Sequence, residues 1–193
     1  MFIAIDGVDG AGKTTQAELL FKRLKGGKRI LTREPTKTDM GAIIRDFLAG
    51  HEDLNLRTMQ LLFVADRSEH VDKVIEPKLK EGYTVITDRY LFSTIAYGMA
   101  SGIDKEWLIA LNSKFPMPDI TIILDIDPKV ALKRVDGRKN GKEIFEELEF
   151  QKRVHDAYME LKSSYKNYFI IDASKSEKEV SEQINRIVGK HYP

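Results

Sequence analysis

Strand-like and helix-like patterns alternate along this chain, which predicts an α/β fold built on a mostly parallel sheet. Three observations carry that expectation. Short apolar runs recur at 1–6, 28–34, 83–88, 119–127 and 167–172. Segments with helical spacing fill the gaps between them. The clearest strand runs are continuously apolar rather than alternating, as strands buried on both faces should be.

Taken in order, "MFIAID" (1–6) reads as a buried strand ending at Gly7. Thr14 to Lys25 has helical spacing at Ala17, Leu20 and Leu24, and Gly26-Gly27 stops it. "KRILTRE" (28–34) is a second strand, ended by Pro35. Residues 40–50 form a short helix with Ile43, Ile44, Phe47 and Leu48 on one side and Gly50 as its stop. Leu56 to Glu81 is the longest helical pattern, with Met59, Leu62, Phe63, Val74, Ile75 and Leu79 on its stripe. Pro77 kinks or restarts that helix, because proline lacks the N–H that the ladder needs. "YTVITD" (83–88), "DITIILDID" (119–127) and "NYFIID" (167–172) complete five strands, and helical patterns fill 91–101, 104–114, 128–136, 143–165 and 176–189. The segment "DGRKNGKE" (136–143) is polar, basic and broken by two glycines, so it reads as a mobile connection between helices.

The 193 residues, 42% of them hydrophobic, suit one domain spanning 1–193. Charged residues make up 32% of the chain but nearly cancel, leaving a formal net charge of +1. No global field for nucleic acid or anionic membrane is expected from that balance. The chain has no cysteine, which excludes disulfides, thiolate catalysis and Cys-ligated zinc. No basic n-region precedes a long apolar stretch, and no run of 18 apolar residues occurs, so neither a secretory signal nor a membrane span is expected. The default expectation is a cytoplasmic protein.

Gly7, Gly12, Lys13 and Thr14 match G-x-x-x-x-G-K-[ST] directly after a strand and directly before a helix. Glycines let backbone N–H groups converge on phosphate oxygens, and the helix N-terminus adds partial positive charge. Lys13 can bridge the outer phosphates and the Thr14 hydroxyl can ligate Mg²⁺. The expected fold is therefore a P-loop NTPase: a five-stranded parallel sheet flanked by helices, with a short lid near 134–145. A GTPase would need a guanine-reading N-K-x-D, which the sequence lacks. A motor-type ATPase would carry an acidic pair at a strand end, where this chain has Asp88-Arg89. A small kinase fits best.

A kinase must also hold an acceptor. Arg33 and Arg89 fall at the carboxyl ends of strands, where ligands sit in open α/β sheets. Phe63 and Arg67, four residues apart, share one helix face and could stack and read a planar base. The competing reading makes Phe63 ordinary core and Arg67 a solvated surface residue. Asp9 lies inside the phosphate loop, at a position where the backbone does the binding, so its side chain is free to cross the cleft.

"GVDGAGKTTQ", "TREPT", "LLFVADR", "TDRYLFSTIAYG", "PDITIILDIDPKVALKR" and "IIDASKS" together resemble the thymidylate kinase family, in order and over nearly the whole chain. The resemblance implies phosphorylation of dTMP to dTDP with ATP and Mg²⁺. It implies that Lys13 and the backbone of Gly7, Val8, Asp9, Gly10, Ala11, Gly12, Thr14 and Thr15 hold the ATP phosphates. Asp9 would face the acceptor, and Arg33 and Arg89 would hold its phosphate. Phe63 would stack the thymine, Arg67 would read a base carbonyl, and Ser93 and Thr94 would lie near the base edge. Tyr97 would block a 2′-hydroxyl, and Asp88 would position Mg²⁺ through water. Glu34-Pro35 falls where a cis peptide is expected, and a homodimer through the helices at 40–50 and from Leu56 is implied.

Some members of this family carry an arginine in the phosphate loop, where this chain has Gly10. The alternative arrangement draws positive charge from the lid, which here offers Arg134, Arg138, Lys139 and Lys142. Arg138 is the expected catalytic charge and Arg134 the residue packing against adenine. Phe145-Glu146 stands where relatives have tyrosine–glutamate. No general base is needed, because the acceptor is already an anionic phosphate. Two alternatives remain at this point: a kinase for another nucleotide or nucleoside, and a nucleotide-binding regulator without turnover.

Overall fold

In the computed structural model, residues 1–51, 54–136 and 147–191 are described. The expected five strands form one all-parallel sheet in the order β2-β3-β1-β4-β5. The strands are β1 (Phe2–Gly7), β2 (Arg29–Arg33), β3 (Thr84–Asp88), β4 (Ile120–Asp125) and β5 (Tyr168–Asp172). β1, β3 and β4 occupy the middle, and their apolar side chains are almost wholly buried, among them Ile3, Ile5, Ile86, Ile122 and Leu124. That position explains why these runs are continuously apolar. β2 lies at an edge and is only half-buried, which is why "RILTR" tolerates two arginines.

Helices α1 (Lys13–Arg23), α2 (Asp39–Leu48), α3 (Leu56–His70), α4 (Glu76–Lys80), α5 (Leu91–Ala100), α6 (Lys105–Asn112), α7 (Pro128–Asp136), α8 (Leu148–Leu161) and α9 (Glu177–His191) connect and cover the strands. Thr38, Asn55 and Asp104 cap α2, α3 and α6, each side chain accepting a bond from a first-turn N–H. The long pattern from Leu56 is continuous but not uniform. A π turn at Val71–Ile75 joins α3 to α4, with the Glu76 N–H bonded to Val71 O. Pro77 has no N–H to return to residue 73, and the wider turn just before it accommodates that loss. α5 is apolar nearly all round and buried nearly all round, packed on both α6 and α8.

The chain runs from β1 outward to β2, returns to β3, then crosses to β4 on the other side of β1. Ligands in such sheets bind outside the carboxyl ends of the strands, at the point where the order reverses. Gly7, Arg33 and Asp88 end β1, β2 and β3 there. Glu34-Pro35, just beyond β2, is cis. Arg138, Lys139, Lys142 and Phe145-Glu146 lie outside the described residues.

Candidate active site

The phosphate loop begins where β1 ends and closes where α1 starts at Lys13. Gly10 and Gly12 take φ of 82° and 93°. At Gly12 an added Cβ would meet open space, so the left-handed backbone alone calls for glycine. At Gly10 a Cβ would lie 2.1 Å from Ala131 O, so α7 backbone also fills the space. Val8 and Ala11 turn their side chains into the core. Lys13 Nζ donates to Val8 O (2.7 Å) and stands 3.7 Å from Asp9 Oδ1. Burial, reinforced by nearby Arg89, pulls its ammonium pKa down to about 8, although Asp9, Asp88 and Asp6 oppose that shift.

Asp9 is the point at which four elements meet. Its Oδ1 accepts from Arg89 Nη2, and its Oδ2 from Tyr97 Oη (2.7 Å) and Gln151 Nε2 (3.2 Å). Its own N–H donates to Gln151 Oε1 (3.2 Å). Burial opposes ionisation, but Arg89 and Lys13, aided by the Tyr97 and Gln151 bonds, hold the carboxyl down at about 2. Burial and then Asp9 raise the Tyr97 hydroxyl far above the usual phenol range, so it remains a donor.

Arg89 follows β3 with φ 70°, a conformation that costs a non-glycine residue about 1–3 kcal/mol. Its N–H is bonded to Ile5 O (2.9 Å), and its carbonyl accepts from Thr87 Oγ1 (2.8 Å). Its guanidinium also reaches Ser93 Oγ at 3.3 Å and lies over the Tyr97 ring at 5.3 Å. Burial is the largest single influence and works against its charge, but Asp9, Tyr97, Tyr158 and Asp88 together overcome it and raise the pKa. Ser93 in turn donates to buried Asp6 and lies 3.0 Å from Tyr158 Oη. Burial raises the Asp6 carboxyl above its ordinary value.

Thr14 Oγ1 donates to Asp88 Oδ2 at 2.5 Å, which joins the start of α1 to the end of β3. The Arg33 guanidinium, on the exposed end of β2, lies 3.8 Å from the same carboxylate oxygen.

These groups line one cavity of about 500 Å³. Phosphate-loop residues Asp9, Gly10 and Gly12 to Thr15 form one part of its wall. Arg33, Phe63, Arg67, Asp88, Arg89, Ser93, Thr94 and Tyr97 form another. The volume falls in the range typical of small-molecule sites. Arg67 is not a solvated helix residue: it is 1% exposed, with Nη2 donating to Glu34 Oε2 (2.5 Å) and Thr94 Oγ1 (2.8 Å) and Nη1 donating to Asn112 Oδ1 (2.5 Å). Phe63 is half-buried and lines the cavity. Arg134 is not among the lining residues, and its guanidinium donates to Ala173 O at 3.4–3.5 Å.

Sequence reasoning missed several contributors, among them Gln151, Glu34 and Arg45. Gln151 is fully buried and reaches Asp9 from α8. The signal was a polar residue on a helix face otherwise made of Phe150, Val154, Tyr158 and Leu161. Glu34, read only for its peptide bond, is buried beside Arg67. Arg45 lines the cavity from α2 and donates to Thr36 O, where the helical spacing alone marks it as a solvated residue.

A phosphate loop, a second cluster of arginines and a planar apolar wall thus open on one cavity, the arrangement a nucleotide phosphotransferase needs. The thymidylate kinase family model matches residues 5–184. A probable thymidylate kinase of Pyrococcus abyssi is 41% identical over 197 residues, covering 98% of this chain and 96% of its own. One from Thermococcus onnurineus is 42% identical, covering 97% of each chain. One from Methanocaldococcus jannaschii is also 42% identical, covering 98% of this chain and 94% of its own. Matched over nearly its whole length, and holding the loop and arginines in one cleft, this chain belongs to the thymidylate kinase family.

Proposed function

We propose that this protein transfers the γ-phosphoryl group of ATP to dTMP, giving dTDP and ADP. The observation that carries the reading is the single cavity with a phosphate loop at one part of its wall and Arg33, Arg89, Phe63 and Arg67 at another. Two anions must approach each other, so the work is neutralisation and alignment rather than proton abstraction.

Lys13 and the loop backbone from Gly7 to Thr15 hold the ATP phosphates, the lysine exchanging its bond to Val8 O for a phosphate oxygen. Arg33 and Arg89 hold the dTMP phosphate, and Asp9 fixes the Arg89 fork. Phe63 stacks the thymine while Arg67 donates to a base carbonyl, with Thr94 and Ser93 bordering that end. Tyr97 excludes a ribose 2′-hydroxyl. Arg134 packs against adenine, and Arg138 from the lid supplies charge to the transferring group.

The Thr14 hydroxyl beside the Asp88 carboxylate is a hard-oxygen donor set that suits Mg²⁺, with Asp88 acting through water. When bound there, Mg²⁺ would neutralise charge on the ATP phosphates. We further read residues 1–193 as one domain working in the cytoplasm as a homodimer. Ile43 on α2 and Leu56 and Leu61 on α3 are large exposed apolar side chains that support pairing through those helices. Nothing in the chain's balanced charge favours nucleic acid as a partner, and no described helix is long and apolar enough to cross a membrane.

Steady-state assays with dTMP, dUMP, dGMP and thymidine test the reading. dTMP is expected to give the highest kcat/KM, and a faster competitor would overturn it.

A further inference from the structure

Behind the base-reading arginine lies a buried chain of polar groups for which the phosphoryl transfer itself has no use. His70, the last residue of α3, is 3% exposed and does not line the cavity. Its Nδ1 lies 3.0 Å from Glu34 Oε1, and its Nε2 lies 2.7 Å from Thr32 Oγ1. A carboxylate only accepts, so Nδ1 carries the proton toward Glu34. The other oxygen of the same carboxylate, Oε2, takes the Arg67 Nη2 bond at 2.5 Å. Thr32 is fixed in β2 by pairing with Thr87 of β3, and the Glu34 N–H is tied to Asp88 O at 3.1 Å. The guanidinium is thereby connected, through Glu34 and His70, to the sheet itself.

We propose that Glu34 and His70 are positioning residues that lock Arg67 in one orientation, and that this lock decides between a 4-oxo and a 4-amino pyrimidine in the acceptor. The proposal rests on the assignment of Arg67 as the base reader. Arginine presents five N–H donors in a rigid plane and no acceptor. A fixed donor meets the thymine 4-carbonyl productively and meets the cytosine 4-amino group donor to donor. A guanidinium free to rotate would lose much of that distinction, because rejection depends on leaving buried donors unpaired. Glu34 supplies the compensating charge on one side, and Asn112 and Thr94 fill two further directions. Glu34 alone could still swing about its own side-chain torsions. His70 removes that freedom by engaging the second carboxylate oxygen.

Two substitutions separate positioning from bulk. His70→Asn keeps an N–H donor close to the Nδ1 position, and His70→Phe keeps the ring volume without any donor. In His70→Phe, KM for dTMP should rise about tenfold, since misplacement of a fixed group by an ångström is costly. kcat and KM for ATP should stay near wild type, and the kcat/KM ratio of dTMP over dCMP should fall by a similar factor. His70→Asn should recover most of that ratio. If His70→Phe does not fold, Thr32→Val removes only the distal hydroxyl and should shift the same ratio severalfold. Unchanged ratios in folded variants, or equal effects of Asn and Phe, would overturn the proposal and leave these residues purely structural. A wild-type enzyme inactive on dTMP would instead refute the functional reading beneath it.

Discussion

Asp9 and Arg89 are joined across the cleft, carboxylate to guanidinium, although 80 residues separate them in the chain. The pair links the phosphate loop after β1 to the turn after β3, so two parts of the cavity wall share one charged contact. Arg89 holds a left-handed backbone there, and Tyr97 and Gln151 fix the other oxygen of Asp9.

Removing that contact should damage acceptor use more than ATP binding. Asp9→Asn keeps the shape and the loop but loses the charge that holds Arg89. Breaking one side of a buried charge pair typically costs several kcal/mol, so kcat/KM for dTMP should fall on the order of a hundredfold. Initial-rate kinetics check this, and a value within a factor of two of wild type would remove Asp9 from the site.

The buried ammonium of Lys13 should make ATP use sensitive to alkali. With its pKa drawn down to about 8, the free enzyme loses the positive charge as pH rises through that value. kcat/KM for ATP reports the free enzyme, so it should show a basic limb near pH 8. Bound triphosphate restores the charge, so kcat should hold to higher pH. On stability the sign is opposite. Between about 8 and the ordinary lysine value the unfolded chain holds the extra proton, so this group's cost to folding shrinks as pH rises. A kcat/KM profile flat to pH 10 would contradict the assignment.

Gly10 cannot take the arginine that some family members place in this loop. Its positive φ and the nearby Ala131 carbonyl both oppose any side chain. Left-handed backbone alone costs about 1–2 kcal/mol, and in a chain of this size each kcal/mol lowers Tm by roughly 2–4 °C. Gly10→Ala should therefore melt several degrees lower, more once the overlap with α7 is included. Calorimetry showing an unchanged Tm would contradict both the backbone strain and the overlap with α7.

Tyr97 combines a ring that narrows the cavity with a hydroxyl that holds Asp9. Tyr97→Phe should keep discrimination against ribonucleotides while lowering kcat/KM for dTMP severalfold. Tyr97→Ala should raise UMP use relative to dUMP by about tenfold or more, comparable to filling or emptying a small pocket. If the dUMP to UMP ratio is the same in both variants, the ring is not the sugar gate.

Local patterns carried the strands and helices because apolar runs and caps are written in adjacent residues. The phosphate loop was legible for the same reason: Gly7, Gly12, Lys13 and Thr14 are close in sequence and their spacing is itself the structure. The order β2-β3-β1-β4-β5 was not, since strand pairing is a long-range choice. Arg67 looked like a surface residue by periodicity, yet Glu34, 33 residues earlier, makes its burial affordable. Gln151 reaches Asp9 over 142 residues because α8 packs on α5, which no local window reports. The sequence marks Pro77 as a kink or a restart but not the π turn before it, because the remedy for a missing N–H depends on what surrounds it.

The most direct test of the account is ADP release from ATP with and without dTMP in the same reaction, with thymidine as the uncharged control. The account predicts rapid ADP release that requires dTMP, is matched one to one by dTDP, and is not supported by thymidine. ADP release at the same rate without dTMP, or none with it, would contradict it.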